Sequence, residues 1–244
     1  MPPRNLAPFR VVAYPRQTFV RDVFTYRAGQ HLSIIAPTEG GKTTLAYELL
    51  DATATKDLPA LVAVMKPQDD TIDAFTRRTK FRIVHDWPAP PSVMRPGKQR
   101  GYVVWPTFTE DLDGDDVRHA AIFQRMLRKS YLKGDRIVFA DEVFSLQNEY
   151  GLRRDLDRVW TKGRSMRCGL WGATQMPAFV SGHMYSQAEH LFLGHDPDER
   201  RRDRFGEIGG LDPKRIEAIV EQLPRFQFLY IRRGDRTMCI VLDR

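Results

Sequence analysis

Cysteine is nearly absent from this chain of 244 residues: only Cys168 and Cys239 occur. Both stand in apolar runs, which argues against a disulfide-stapled scaffold or a cysteine-built metal centre and points to a reducing compartment. Long apolar runs are missing too, and none approaches the roughly 18–20 residues of a membrane span. The start, Met1 to Pro8, lacks the apolar core of a secretory leader, so the expected location is cytoplasmic. There is no internal repeat and no long low-complexity tract. Apolar residues make up 42% and charged residues 28%, which excludes a disordered chain and suits one globular domain with a sizeable core. Acidic residues are outnumbered. The net charge of +7 favours a polyanionic partner such as nucleic acid or an anionic membrane surface, without by itself establishing one.

Apolar runs alternate with amphipathic stretches. Val11–Tyr14 and Phe19–Tyr26 are predicted as short strands, followed by strands over His31–Ala36, Ala60–Met65, Phe81–His85, Tyr102–Trp105, Arg136–Ala140, Gly169–Thr174 and His190–Gly194. Helices are predicted over Thr43–Ala54, Asp70–Arg78, Asp115–Leu132, Leu152–Thr161, Asp198–Phe205 and Asp212–Gln222. Pro88, Pro90, Pro91 and Pro96 make Trp87–Gly101 a loop. Phe226–Ile231 and Thr237–Leu242 flank Arg232 to Arg236 as a terminal hairpin. Runs such as Ala60–Met65 are apolar without alternation, as in strands covered on both faces. The predicted fold is therefore α/β, three layers around a mainly parallel sheet.

One stretch carries specific chemistry: Ala36-Pro-Thr-Glu-Gly-Gly-Lys-Thr-Thr44, between a strand and a helix. A triphosphate presents several charges within a short distance. A loop that wraps it needs small residues so that backbone N–H groups can converge on its oxygens. Gly40 and Gly41 supply that freedom, Thr38, Glu39 and Thr44 complete the loop, and Lys42 places a cation on the phosphates. The Thr43 hydroxyl reaches a Mg²⁺ ion, and the helix N-terminus adds free donors. The usual pattern is G-x-x-x-x-G-K-[ST]. Here Ala36 stands for the first glycine, which is tolerable if its φ is negative.

Two further segments complete a site. Arg136-Ile-Val-Phe-Ala-Asp-Glu142 ends an apolar strand in paired carboxylates, at the edge where parallel sheets bind ligands. Asp141 is the candidate Mg²⁺ ligand and Glu142 the base that deprotonates water, a pairing that suits a hydrolase better than a kinase. Gln175, at the tip of the next strand, is placed to touch the γ-phosphate or the attacking water. Arg164 and Arg167 are candidates for an arginine supplied to a neighbouring subunit's phosphates, or else helix-end cations; Arg153 and Arg154 are weaker alternatives.

In this order the motifs resemble the FtsK–HerA superfamily of DNA-translocating ATPases. The resembling pieces are Gly29 to Thr44, Met65-Lys-Pro67, Ile137 to Glu142, Gly163-Arg164 and Ala173-Thr-Gln-Met-Pro177. The resemblance implies a P-loop fold of the additional-strand, RecA-like type, with short N-terminal strands and a C-terminal hairpin. It implies one ATPase domain over 1–244: an N-terminal arm over 1–28, a nucleotide-binding core over 29–195, and C-terminal helices and hairpin over 196–244. ATP and Mg²⁺ are the implied cofactors, with Lys42, Glu142, Gln175, Arg164 and Arg167 in catalysis and Thr43 and Asp141 at the metal. The implied partners are double-stranded DNA, gripped mainly by its phosphates, further copies in a ring of about six, and a capsid or portal-vertex protein. The chain's size is like that of the small ATPases that package genomes of tailless icosahedral viruses, which would place it in the host cytoplasm or with the virion. A plasmid, conjugative or chromosomal DNA pump and an ATP-dependent assembly module are the competing readings. Trp87–Gly101, with Arg95, Lys98 and Arg100, and Met176–Tyr185 are the candidate DNA-facing loops.

Overall fold

All ten strands form where the sequence predicts a strand, the central ones because one sheet buries them on both faces. The computed structural model describes residues 11–93, 98–196 and 211–243. The first half of the chain holds β1 (Ala13–Pro15), α1 (Arg16–Thr18), β2 (His31–Ile35), α2 (Lys42–Thr53), β3 (Ala60–Ala63), α3 (Thr71–Thr79), β4 (Arg82–Val84), β5 (Gly101–Val104) and α4 (Leu112–Lys133). The second holds β6 (Arg136–Ala140), α5 (Arg153–Lys162), β7 (Cys168–Thr174), α6 (His183–Ser186), β8 (Ala188–Gly194), α7 (Pro213–Gln222), β9 (Phe228–Arg232) and β10 (Thr237–Leu242).

The strands lie in the order β1-β10-β9-β8-β2-β7-β6-β3-β5-β4. From β4 through β8 every pairing is parallel; β9 runs against β8 and β10, and β1 lies parallel to β10. Alternate residues of each strand serve opposite layers. Ile137 and Phe139 meet α2 and α3 through Leu45, Leu49, Ile72 and Phe75. Val138 and Ala140 meet the other layer, where Phe123, Met126, Leu156, Trp160, Ile216 and Val220 project from α4, α5 and α7. This two-sided cover is why the strands read as unbroken apolar runs.

The structure corrects the sequence reading at Phe19–Tyr26. No strand forms there; α1 runs into a wide helical turn, Phe19–Val23, closed by the Phe24 N–H donating to the Phe19 carbonyl at 2.8 Å. The spacing of Phe19, Val20, Val23 and Phe24 is helical rather than alternating, and β-propensity yields to packing when no sheet edge is free. Here the edge beside β10 is taken by β1. Phe19 instead buries its ring edge-on against Phe192 at 5.9 Å and Tyr230 at 4.8 Å.

Two smaller departures have local causes. Helix α4 starts at Leu112 rather than Asp115, because Asp111 caps it by accepting from the Gly114 N–H at 3.0 Å. The displaced Asp115 is buried and accepts from the Thr109 hydroxyl at 3.0 Å, and Arg118 and the Thr109 N–H hold its pKa below the usual carboxylate range, the backbone N–H contributing most. In the proline-rich loop, the half-buried Arg100 is tied to its own chain: its guanidinium donates to the Ala54 carbonyl at 2.9 Å and pairs with Asp51. Lys98 is exposed, while Arg95 and the helix expected over Asp198–Phe205 lie outside the described residues. No helix among the described residues is long and apolar enough to cross a membrane.

Candidate nucleotide site

Strand β2 delivers its glycine loop to the carboxyl edge of the sheet, between the ends of β7 and β8. The loop turns tightly: the Gly40 N–H donates to the Pro37 carbonyl at 3.0 Å, and Gly41 takes a left-handed φ of +87°. A side chain on Gly40 would meet that same carbonyl at 2.9 Å, so the glycine is required by close approach. Ala36 has no positive φ, as its unusual position demands. Its methyl is buried against Gly194 of β8, where a Cβ would stand only 2.6 Å away. The bulk that the usual first glycine lacks is thus accommodated by a glycine on the neighbouring strand.

Lys42 opens α2 and folds its ammonium back under the loop, donating to the carbonyls of Ala36 and Pro37 at 2.9 Å each. Burial lowers its pKa, and the nearby charges of Glu142 and Asp141 oppose that effect. Thr43, one residue on, donates its hydroxyl to Asp141 Oδ1 at 2.7 Å, and Lys66 from the end of β3 donates to Asp141 Oδ2 at 3.1 Å. A hydroxyl and a carboxylate oxygen on one side of a cavity are hard donors of the kind Mg²⁺ takes when phosphate and water fill its other positions. The residues therefore fit Mg²⁺ as a cofactor held largely through the nucleotide. Among the described residues no cluster of three or more His, Cys, Asp or Glu side chains is placed to hold a metal by itself.

Glu142 is held apart from this pair. Its Oε1 accepts from the Thr174 hydroxyl at 2.8 Å and from the Phe144 N–H at 3.2 Å, and its Oε2 accepts from the Gln175 N–H at 3.4 Å. Burial raises its pKa above the usual carboxylate value, while these bonds and Lys42 pull it down. Gln175 in turn accepts from the Thr38 hydroxyl of the glycine loop. The tip of β7 thus bridges the loop to the acidic pair.

These side chains line one cavity of about 560 Å³, together with Thr44, Asp69, Ser145 and Phe226, a volume in the range of small-ligand sites. Lys42, Thr43, Asp141, Glu142, Gln175 and the loop residues Thr38 to Gly41 are brought together as the motif order implies. Arg164 and Arg167 are not. Arg167 directly precedes β7 and pairs with Asp135; Arg164 lies 4.0 Å from Glu189. Both stand at the amino ends of strands, across the sheet from the cavity, so neither can serve its own chain's site. Sequence reasoning missed Lys66 and Phe226. Lys66 sits in the Met65-Lys-Pro67 segment, whose placement after a buried strand was its signal. Phe226 lies far along the chain and carried none.

The Thr174 bond gives a direct test. Thr174→Val keeps the shape but removes a donor to the charged form of Glu142, so the Glu142 pKa rises further. A base works deprotonated. The acid limb of any pH–rate profile at saturating nucleotide should therefore move to higher pH, and an unmoved limb would remove Glu142 as the titrating group.

No protein-family model and no curated protein matches this sequence. Solved structures do match in fold. The chain is similar to the DNA-packaging ATPase B204 from Sulfolobus turreted icosahedral virus at a TM-score of 0.61 and 13% identity, over 90% of this chain and 100% of that one. The genome packaging NTPase B204 from Sulfolobus turreted icosahedral virus 2, in complex with ATP-gammaS, matches at 0.60 and 13% identity, over 90% and 100%. VirB4 of Thermoanaerobacter pseudethanolicus matches at 0.62 and 9% identity, over 87% and 89%. At such identities what is shared is the fold, and this chain has the same α/β fold around a mainly parallel sheet.

Proposed function

We propose that this chain hydrolyses ATP and uses the energy to drive double-stranded DNA, as the genome-packaging motor of a virus that fills a preformed capsid. The observation that carries the hydrolytic part is Glu142. It is a half-buried carboxylate next to the Thr43–Asp141 pair, at the cavity that the glycine loop opens onto. The backbone N–H groups of residues 38–44 and Lys42 would hold the phosphates, and Thr43 and Asp141 would hold Mg²⁺. When bound, that ion neutralises charge on the phosphates. Lys42 must leave the Ala36 and Pro37 carbonyls to reach a phosphate, and the loop is therefore set to respond to nucleotide. Glu142 accepts the proton of the attacking water. Gln175, bonded to Thr38, reports the γ-phosphate to the strand tip that also holds Glu142.

The likeness in fold to two viral packaging ATPases, over nine-tenths of this chain, supports the DNA-driving part, as does the basic net charge. In this reading the chain works in the cytoplasm as a ring of about six copies. Arg164 or Arg167 of one copy reaches the phosphates of the next, and a capsid or portal-vertex protein receives the ring. Met176 to Tyr185 is the favoured DNA-facing loop. Phe179 is exposed, and its carbonyl accepts from Gln147 and Asn148, just beyond Glu142, so motion at the acid would reach it. A motor that ignores sequence grips phosphates.

Hydrolysis of ATP by the purified chain should rise severalfold on addition of double-stranded DNA of unrelated sequences, and the gain should fade with added salt. Equal rates with and without DNA, in every oligomeric state, would sink the motor reading. A plasmid or conjugative DNA pump is the second reading, since the same cavity and the same basic net charge would serve it equally well. Both drive DNA, and a requirement for a capsid vertex separates them.

A further inference from the structure

We infer that Phe226 is the platform on which the purine base of the nucleotide stacks, a role that rests on the cavity being a triphosphate site. Strand order gives the cavity a direction. The glycine loop rises from β2; Asp141 lies two strands away at the end of β6, and Phe226 lies two strands away on the other side, just before β9. Phosphates held by the loop with Mg²⁺ toward Asp141 therefore leave the rest of the nucleotide pointing toward Phe226.

The chain goes to some trouble to hold that ring there. Pro224 to Gln227 form a tight turn, closed by the Gln227 N–H donating to the Pro224 carbonyl at 3.2 Å. Its third residue, Phe226, has a φ of +68°, where a turn of this kind calls for glycine. Such strain persists only when the surroundings over-determine it, and it clusters at ligand sites. Here Arg16, itself buried, donates to the Phe226 carbonyl, and Arg225 donates to the Glu39 carboxylate at 2.7 Å, latching the turn to the apex of the glycine loop. The edge of the Phe226 ring comes within 3.1 Å of where a Cβ on Gly41 would stand. The Arg225 guanidinium lies 4.8 Å from the ring centroid, which leaves the opposite face for a ligand. Despite these ties the ring is 38% exposed and lines the cavity. A large apolar side chain in a strained backbone, pinned in place yet left open to the cavity, fits a flat aromatic ligand. Stacking reads a π-face rather than hydrogen-bond groups, so ATP and GTP should bind alike at this subsite.

The test compares ligands with and without a base. Phe226→Gly removes the ring and relieves the strain, and Phe226→Leu keeps bulk but no π-face. In calorimetric titrations with Mg²⁺, both variants should bind ATP about tenfold more weakly than the unchanged chain, with affinity for inorganic tripolyphosphate unaltered. Phe226→Trp should restore ATP affinity. Phe226→Gly should also melt no lower than the unchanged chain, since glycine suits that φ; a packing residue would lose stability together with affinity. Equal losses for both ligands, or none for ATP, overturn the platform while leaving the triphosphate site standing. Failure of the unchanged chain to bind either ligand overturns the triphosphate reading and the platform with it.

Discussion

Glu142→Gln is expected to lower ATP turnover roughly a hundred- to ten-thousandfold, the span usual for a lost general base, while nucleotide affinity holds or rises. The amide oxygen can take the place of Oε1 and still accept from the Thr174 hydroxyl and the Phe144 N–H, and only the long 3.4 Å bond from the Gln175 N–H to Oε2 is given up, so most of the geometry of the β7 tip is kept. What disappears is the capacity to take a proton. A negative charge beside the phosphates disappears too, which is why binding should not suffer. The unchanged chain should lose activity as pH falls through the Glu142 pKa, which burial has raised above the ordinary carboxylate value. The glutamine variant should retain no such limb. Single-turnover hydrolysis with a parallel binding titration checks both halves, and full turnover in the variant would remove Glu142 from the mechanism.

Phe19→Ala is the largest expected loss of stability outside the site. The ring is fully buried and meets Phe192 and Tyr230 edge-on and Phe24 at a tilt. Truncating a buried Phe typically destabilises by about 3–5 kcal/mol, because lost transfer free energy adds to the cavity left behind. Against a total of about 5–15 kcal/mol that is a large fraction. At about 2–4 °C per kcal/mol for a chain of this size, the unfolding midpoint should drop by roughly 10 °C. Thermal denaturation followed by circular dichroism measures it. A drop of only a degree or two would mean that the N-terminal segment is an arm laid on the surface rather than a part of the core. The distinction matters for function, since Arg16 in the same segment holds the Phe226 turn.

The parts of the site written locally were readable in advance. Gly40, Gly41, Lys42 and Thr43 need one another at fixed spacing, and Asp141 and Glu142 need only the end of an apolar strand; neither depends on distant packing. Phe226 is the opposite case. Its place at the cavity comes from β9 lying beside β8 and from a left-handed φ, and neither property belongs to the six or seven residues around it. The fold divides the same way. Buried strands announced themselves because both layers demand apolar residues at most positions. The Phe19–Phe24 segment misled because its composition suits a strand while its spacing suits a helix, and only the occupied edge of β10 decides between them. The Ala36 departure likewise makes sense only beside Gly194, on a strand some 150 residues later.

The opposed positions of the arginines and the cavity restrict how copies of this chain can serve one another. Arg164 and Arg167 occupy one rim of the sheet and the glycine loop the other. A two-fold dimer makes one patch meet itself, so it exchanges residues only between groups lying on the same patch. These groups do not. For either arginine to touch a neighbour's phosphates, the back rim of one copy must seat on the front rim of the next, and the contact is then heterologous. Such a contact has no natural stopping point except closure: an open row would always carry one unassisted cavity at its end and one idle arginine pair at its start.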